Sequence, residues 1–175
     1  DLVLTNLETP EQAEQCLNYA TQDGLLVTAM TANSAPEAVL RLARMATPSL
    51  VNQTVTCVIA QQLVRTLCTD CREAVEPNPS LLAKLKLDPE NPGEWYRPVG
   101  CDNCLGTGYR GRTGIFAMLI LTEQVKEVLA SGKASEGAIR EAAGKVALRT
   151  LYQDGISKVV AGVTTLDEIR RVMKT

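Results

Sequence analysis

The sequence predicts an α/β chain with a four-cysteine metal subdomain set into it and a helical bundle at its C-terminal end. Three observations carry that expectation. Apolar strand-like runs alternate with capped amphipathic segments over the first 45 residues, the rhythm of a parallel sheet with crossover helices. Two CxxC pairs, Cys68-Thr-Asp-Cys71 and Cys101-Asp-Asn-Cys104, bracket a proline-rich segment. Four helical stripes, three of them opened by a Thr or Ser, follow Leu121. The expected divisions are residues 1–67, an α/β unit of parallel strands and helices; 68–114, the metal-binding subdomain; and 115–175, a returning strand and the helical bundle.

Asp1-Leu-Val-Leu-Thr5 is a short apolar run suited to a buried strand. Thr9-Pro-Glu-Gln12 opens a helix, with Thr9 as cap, Pro10 at the first helical position and Gln12 closing a capping box. Gly24 ends that helical region, and Leu25-Leu-Val-Thr-Ala-Met30 reads as a second, fully buried strand. Ser34-Ala-Pro-Glu37 is another capping box, ahead of Val39, Leu42 and Met45 on one face. From Ser49 the spacing of Val51, Val55, Val58, Ile59 and Leu63 predicts a helix that runs to Cys68. Ile115–Leu121 predicts a strand returning to the sheet. Thr122 caps a helix through Val125, Val128 and Leu129 that stops at Gly132. Ser135 caps the next, with Ala138, Ile139, Ala142, Ala143 and Val146 as its stripe. Tyr152, Ile156, Val159 and Val160 mark a third, and Thr165-Leu-Asp-Glu168 is a capping box for the last, which bears Ile169, Val172 and Met173. These stripes are core faces.

The cysteine spacing carries the chemistry. A CxxC turn sets two thiolates on one side of a loop, and two such turns facing each other make a closed tetrahedral sulfur cage. With all four positions filled by Cys68, Cys71, Cys101 and Cys104 the site is structural, not catalytic. Zinc is the default metal, and a thiolate cage also accepts iron. The rival readings are two redox pairs, two disulfides, or a thiol set without metal; neither pair has the strand-to-helix setting of a redox motif. The segment between the pairs holds Pro77, Pro79, Pro89, Pro92 and Pro98, and only Leu81–Leu87 looks helical. Such an insert buries too little apolar surface to offset its ordering entropy, and a metal at its base supplies the difference. Arg72, Arg110 and Arg112 are placed to offset the excess negative charge of the cage. Cys16 and Cys57 read as small core residues.

The chain is 45% hydrophobic and 22% charged, an ordinary globular balance. Its formal net charge of −2 argues against non-specific nucleic-acid or anionic-lipid binding. It has no apolar run of membrane-spanning length and no histidine, which removes every His-based triad, base or ligand. The cysteine usage points to a reducing compartment. The chain opens Asp1-Leu-Val-Leu without methionine, and an excised fragment is the expectation.

The run Ala60-Gln-Gln-Leu-Val-Arg-Thr-Leu-Cys68-Thr-Asp-Cys71 and the run Gly100-Cys-Asp-Asn-Cys104-Leu-Gly-Thr-Gly-Tyr-Arg-Gly-Arg-Thr-Gly-Ile115 resemble the tetracysteine region of the type II secretion and type IV pilus assembly ATPases. That family comprises general secretory pathway protein E and pilus assembly protein B. Leu148-Arg-Thr-Leu-Tyr-Gln-Asp-Gly155 and Ala161-Gly-Val-Thr-Thr-Leu-Asp-Glu168 resemble its C-terminal signature, so the likeness covers nearly the whole chain. The resemblance implies the C-terminal half of a RecA-like P-loop NTPase domain with an inserted four-cysteine zinc subdomain and a C-terminal helical bundle. It implies a hexamer of motor subunits, cytoplasmic and held at the inner membrane through secretion or pilus platform proteins, with ATP and Mg²⁺ in the full-length context. No GxxxxGK[ST] loop occurs in this sequence, and the fragment alone is expected to be inactive as an ATPase.

Departures from the family pattern matter as much. Aligned without gaps on Gly24, the first ten residues face the family's Walker B strand. Leu7 then falls on its glutamate, Thr9 on its arginine and Pro10 on its aspartate. A leucine can neither orient an attacking water nor help hold Mg²⁺. Glu8 would restore the carboxylate only through a slip of register that aims it at the opposite face. The family's histidine-containing stretch becomes Gly24-Leu25 and Thr31-Ala32-Asn33, of which only Asn33 survives. No catalytic residue is therefore assigned, and the expectation is a degenerate motor component acting in assembly and docking. Asn33, Arg65, Arg110 and Arg112 are the candidates for subunit or nucleotide contacts. The alternative class is a zinc-ribbon binding module for a nucleic acid or protein partner, supported by the Tyr109-Arg-Gly-Arg112 loop.

Overall fold

The computed structural model describes residues 2–22 and 25–173, with the side chains of residues 2–5, 145 and 146 excepted. The Gly24 helix stop and Asp1 lie outside the described residues, as does the side chain of Val146. Contacts divide the chain into two compact units, residues 1–60 with 117–149 and residues 61–116 with 150–175.

In the first unit, β1 (Leu2–Asn6) and β2 (Leu26–Ala29) pair in parallel, with Leu2 opposite Leu26 and Asn6 opposite Ala29. The crossover between them is α1 (Pro10–Ala20), and its start is the predicted one. Thr9 Oγ1 accepts from Gln12 N, and Gln12 Oε1 accepts from Thr9 N. α2 (Ala35–Met45) begins at Ser34, whose hydroxyl accepts from Glu37 N. Glu37 turns its carboxylate to the Asn33 N–H, so the box there is only half closed. α3 (Pro48–Thr54), α5 (Glu123–Ala130) and α6 (Glu136–Ala147) complete the unit's helices. α6 kinks at Gly144, where φ is +55°, a conformation glycine tolerates without steric cost. Val39, Val51, Leu119, Val125 and Ile139 are fully buried in one apolar cluster that also takes in Leu7 and Cys16.

Several expectations fail here for physical reasons. The helix from Ser49 to Cys68 ends at Thr54; β3 (Cys57–Leu67) follows it as a strand. A spacing of four residues fits both a helical turn and two strand repeats, and Ile59 and Leu63 satisfy both. On the strand they share an outward face, 60% and 51% exposed. Cys57 lies on that face too and is exposed, not core. β2 is only half-buried, with Leu25 and Val27 exposed. Thr122 stands at the cap position of α5, but its hydroxyl makes no capping bond and has no partner among the described residues. β6 (Tyr109–Ile120) starts six residues earlier than expected. It joins a three-stranded sheet, between β3 and a short strand near residue 148, not the β1-β2 pair. β7 (Leu148–Arg149) runs antiparallel to it, with Leu119 opposite Leu148.

In the second unit, β4 (Glu73–Ala74) and β5 (Tyr96–Arg97) form a short antiparallel pair around α4 (Pro79–Leu85). α7 (Leu151–Val160) and α8 (Leu166–Met173) pack on each other. The four C-terminal helices thus form two pairs, α5–α6 in the first unit and α7–α8 in the second. In α7 the buried face is Leu151, Gly155, Ile156 and Val159, with Tyr152 exposed. A Cβ on Gly155 would meet Ile169 at 2.9 Å, so this glycine sets how closely the two helices approach. The turn between them, residues 161–165, is gripped by Leu67 N donating to Val163 O at 2.9 Å and by Thr164 Oγ1 donating to Arg65 O at 2.7 Å. The insert holds the end of α7 and the same turn: Glu94 N donates to Val160 O at 2.7 Å and Arg72 Nη1 to Gly162 O at 2.7 Å.

Candidate functional site

β3 ends at Leu67 and β6 begins at Tyr109, and each strand end carries one CxxC turn beside it. Cys68 N donates to Gly108 O at 2.9 Å, which ties the two turns together. Cys101-Asp-Asn-Cys104 is a single 3₁₀ turn that ends on Leu105 in the left-handed region, φ +53°. The four sulfurs all lie within 4.8 Å of one another. Cys68 to Cys101 is 3.9 Å, and Cys71 to Cys104 and Cys101 to Cys104 are each 3.8 Å. Those separations are far beyond a disulfide bond of about 2.05 Å, and all six cysteines are free thiols. The four thiols could hold a metal ion.

Main-chain amides prepare the sulfurs for that role. Gly100 N donates to Cys71 Sγ at 3.3 Å, and Cys101 N and Gly108 N both donate to Cys104 Sγ at 3.2 Å. Burial pushes the Cys71 thiol up to about 11 and raises that of Cys101 as well. At Cys104 the Cys101 and Gly108 amides outweigh burial and bring it down to about 6, because a hydrogen bond to a thiolate favours the charged form. The expected arginine counter-charges are differently employed. Arg72 lies over the Tyr96 ring at 4.1 Å and donates to Gly162 O. Arg110 faces Asp70 at 3.7 Å. Arg112 lines a separate recess.

That recess, also in the second unit, has a volume of about 410 Å³ and is lined by Leu63, Arg65, Arg112 and Arg171. Behind it sits Glu168, 1% exposed, a residue whose role the sequence hid. Thr165 Oγ1 does accept from Glu168 N as a cap. The Glu168 carboxylate, however, does not return to the cap. It accepts from Arg65 N, Nε and Nη2 at 2.9, 3.0 and 2.7 Å and from Arg171 Nε and Nη2 at 2.8 and 2.7 Å. Burial works against its charge, but the two guanidiniums prevail and hold the carboxyl down to about 2. The Arg65 guanidinium also stacks on the Tyr109 ring at 4.2 Å, and Tyr109 OH bonds Thr165 Oγ1 at 2.8 Å.

Arg65 and Arg112 are thus brought together with Arg171, which sequence reasoning passed over. Arg110 is exposed at the cage instead, and Asn33 is an exposed residue of the first unit at the mouth of α2. The one sequence signal for the Glu168 hub was Arg171 three residues on; Arg65, 103 residues away, left no local trace. Leu7 is 4% exposed in the first unit's core, and Glu8 is exposed.

A sequence family described as type II/IV secretion system protein matches residues 9–171. The type IV pilus assembly ATPase PilB of Thermus thermophilus is 32% identical over 171 residues, which cover 96% of this chain and 19% of that protein. The type II secretion system protein E of Aeromonas hydrophila is 35% identical over 182 residues, 98% of this chain and 33% of the relative. The chain therefore spans a third or less of these relatives' length. Among solved structures, the Legionella pneumophila ATPase DotB superposes with a TM-score of 0.64 at 12% identity over 98% of this chain and 38% of its own, a likeness of fold. No helix among the described residues is long and apolar enough to cross a membrane. With a family match over nearly its full length and relatives above 30% identity covering almost all of it, the chain belongs to the type II/IV secretion system protein family.

Proposed function

We propose that this chain is the C-terminal part of a secretion or pilus assembly ATPase and serves that motor as an assembly and docking module, with its own hydrolytic motifs lost. In the full-length context it would belong to a hexameric, RecA-like motor held at the cytoplasmic face of the inner membrane by platform proteins. Residues 68–114 act as its zinc subdomain. The observation that carries the reading is the four-sulfur cage within a family match that runs from residue 9 to residue 171. A tetrahedral metal site supports the reading: four sulfurs at about 2.3 Å around Zn²⁺ stand about 3.8 Å apart, three of the sulfur pairs are 3.8 or 3.9 Å apart, and all four sulfurs lie within 4.8 Å of one another; zinc is the default metal for such a closed four-cysteine cage. Lost hydrolysis is supported by Leu7, the residue that the gapless alignment sets on the family's glutamate, which is packed in the core. Arg65, Arg110, Arg112 and Asn33 supply contacts to a neighbouring subunit or its nucleotide.

Elemental analysis of protein purified without added metal tests the cage, with one zinc per chain expected and abolished by Cys101→Ser. Steady-state ATPase assays on a longer chain carrying the upstream segment test the rest. Turnover slower than that of an intact relative by orders of magnitude is expected, since a lost water-positioning carboxylate costs several kcal/mol in the transition state. Full turnover that Glu8→Gln abolishes would show that Glu8 is the working carboxylate.

A further inference from the structure

Three guanidinium groups share the open recess beside Leu63, and the one carboxylate behind them leaves an excess of two positive charges. On a chain of formal net charge −2 such a concentration demands an explanation. Glu168 supplies half of it. A fully buried carboxylate is costly unless paired and hydrogen-bonded on both oxygens, and here every one of its bonds goes to Arg65, Arg171 or its own helix cap. Both arginines keep their forks fixed while remaining 41% and 57% exposed. Arg112 has no ion pair among the described residues and faces the same space. With no acid on the recess lining among the described residues, the held forks of Arg65 and Arg171 are prepared for a ligand's oxygens, at little further loss of side-chain entropy.

We propose that the Arg65–Arg112–Arg171 recess docks an acidic protein segment, a pair of carboxylates next to an apolar side chain, and that Glu168 is its positioning residue. Three features select carboxylates over a polyphosphate. The net excess is two charges, matched by two carboxylates and exceeded by a triphosphate. Arg171 sits in the last turn of α8, whose carbonyl end carries partial negative charge and disfavours a dense anion. Leu63, half-exposed on the recess wall, offers apolar contact that a peptide can use and a phosphate cannot. The openness of the recess to solvent on its outer side suits a segment of another protein's surface, with arginines as its anchors.

This inference deepens the reading of Arg65 and Arg112 as contact residues, and its test is independent of zinc content and ATPase rate. Fluorescence anisotropy with the labelled peptide Leu-Glu-Glu-Leu is measured on the whole chain at low and at physiological salt. Saturable, salt-sensitive binding is expected, weakened tenfold or more in the Gln-for-Glu peptide and in Arg112→Gln or Arg171→Gln, with Arg140→Gln unchanged. Because Arg112 holds no ion pair among the described residues, Arg112→Gln keeps the fold and carries the decision. Glu168→Gln is expected to weaken binding and Glu168→Asp to restore part of it at a matched fraction folded, which a purely structural role would not produce. Absence of binding at millimolar peptide, equal binding by Arg112→Gln, or pyrophosphate binding tighter than the peptide would each overturn the proposal.

Discussion

The first unit keeps its helices against β2 and the ends of β3 and β6 through one continuous apolar cluster, from Leu7 and Val39 to Ile139 and Leu148. The second unit relies on different means. Around Ile115 and Ile169 it sets a sulfur cage, a buried carboxylate shared by two arginines, two cation–ring stacks and a turn pinned by main-chain bonds from both sides. The difference follows from composition. The first unit's helices carry broad apolar faces, whereas the insert is rich in proline and turn residues and has one short helix. A segment without a stripe must be ordered by directional bonds, and directional bonds are sensitive to metal, charge and pH in a way that hydrocarbon packing is not.

The sharpest way to break the comparison is to take the metal away. With the cage read as a zinc site, chelation is expected to remove on the order of 10 kcal/mol from the second unit and leave the first folded. Hydrogen exchange should show amides of 67–108 losing protection while those of α2 and α6 keep theirs; equal loss in both units would erase the distinction. Next in size, Ile139→Ala should cost about 3 kcal/mol as a core cavity, and thermal melts should show that cost unchanged by chelator. Third is acid. The Glu168 carboxyl is held at about 2, against 4.5 unperturbed. Its contribution, roughly 3 kcal/mol, is complete above the unperturbed value and is lost as pH falls from about 4.5 through 2. An acid titration of second-unit exchange should lose that component in Glu168→Gln; an unchanged profile would mean that the carboxylate contributes nothing. The smallest effect is expected at Thr9→Ala, about 1 kcal/mol from a lost helix cap, confined to α1 and readable in urea melts.

Signals whose partners all lie within a few residues were the most legible, and those shared between periods or between distant elements were not. The cage was legible because its ligands come in two short spacings, and the Thr9 box because all its atoms lie within four residues. β3 was misread because Ile59 and Leu63 stand four apart, a spacing common to both periods. Glu168 was legible as a cap member, and its backbone N–H does behave as one, but its side chain answers to Arg65 on another element. Cys57 was misplaced for the same reason as β3, since the face it belongs to depends on which period is chosen.

The cage has one more consequence, concerning chain length. Cys68 and Cys104 stand where β3 leaves and β6 returns, joined by the Cys68–Gly108 main-chain bond. The β4–β5 pair and the Glu94 and Arg72 contacts fix both flanks of the insert. What remains, Glu76 to Pro92, is a closed excursion whose ends are already held together. Doubling the length of such an excursion costs only about 0.6 kcal/mol, so this stretch can grow or shrink without moving either strand. A knuckle of four sulfurs thereby lets this stretch change in length while the strands, and the arginine recess next to them, stay in register.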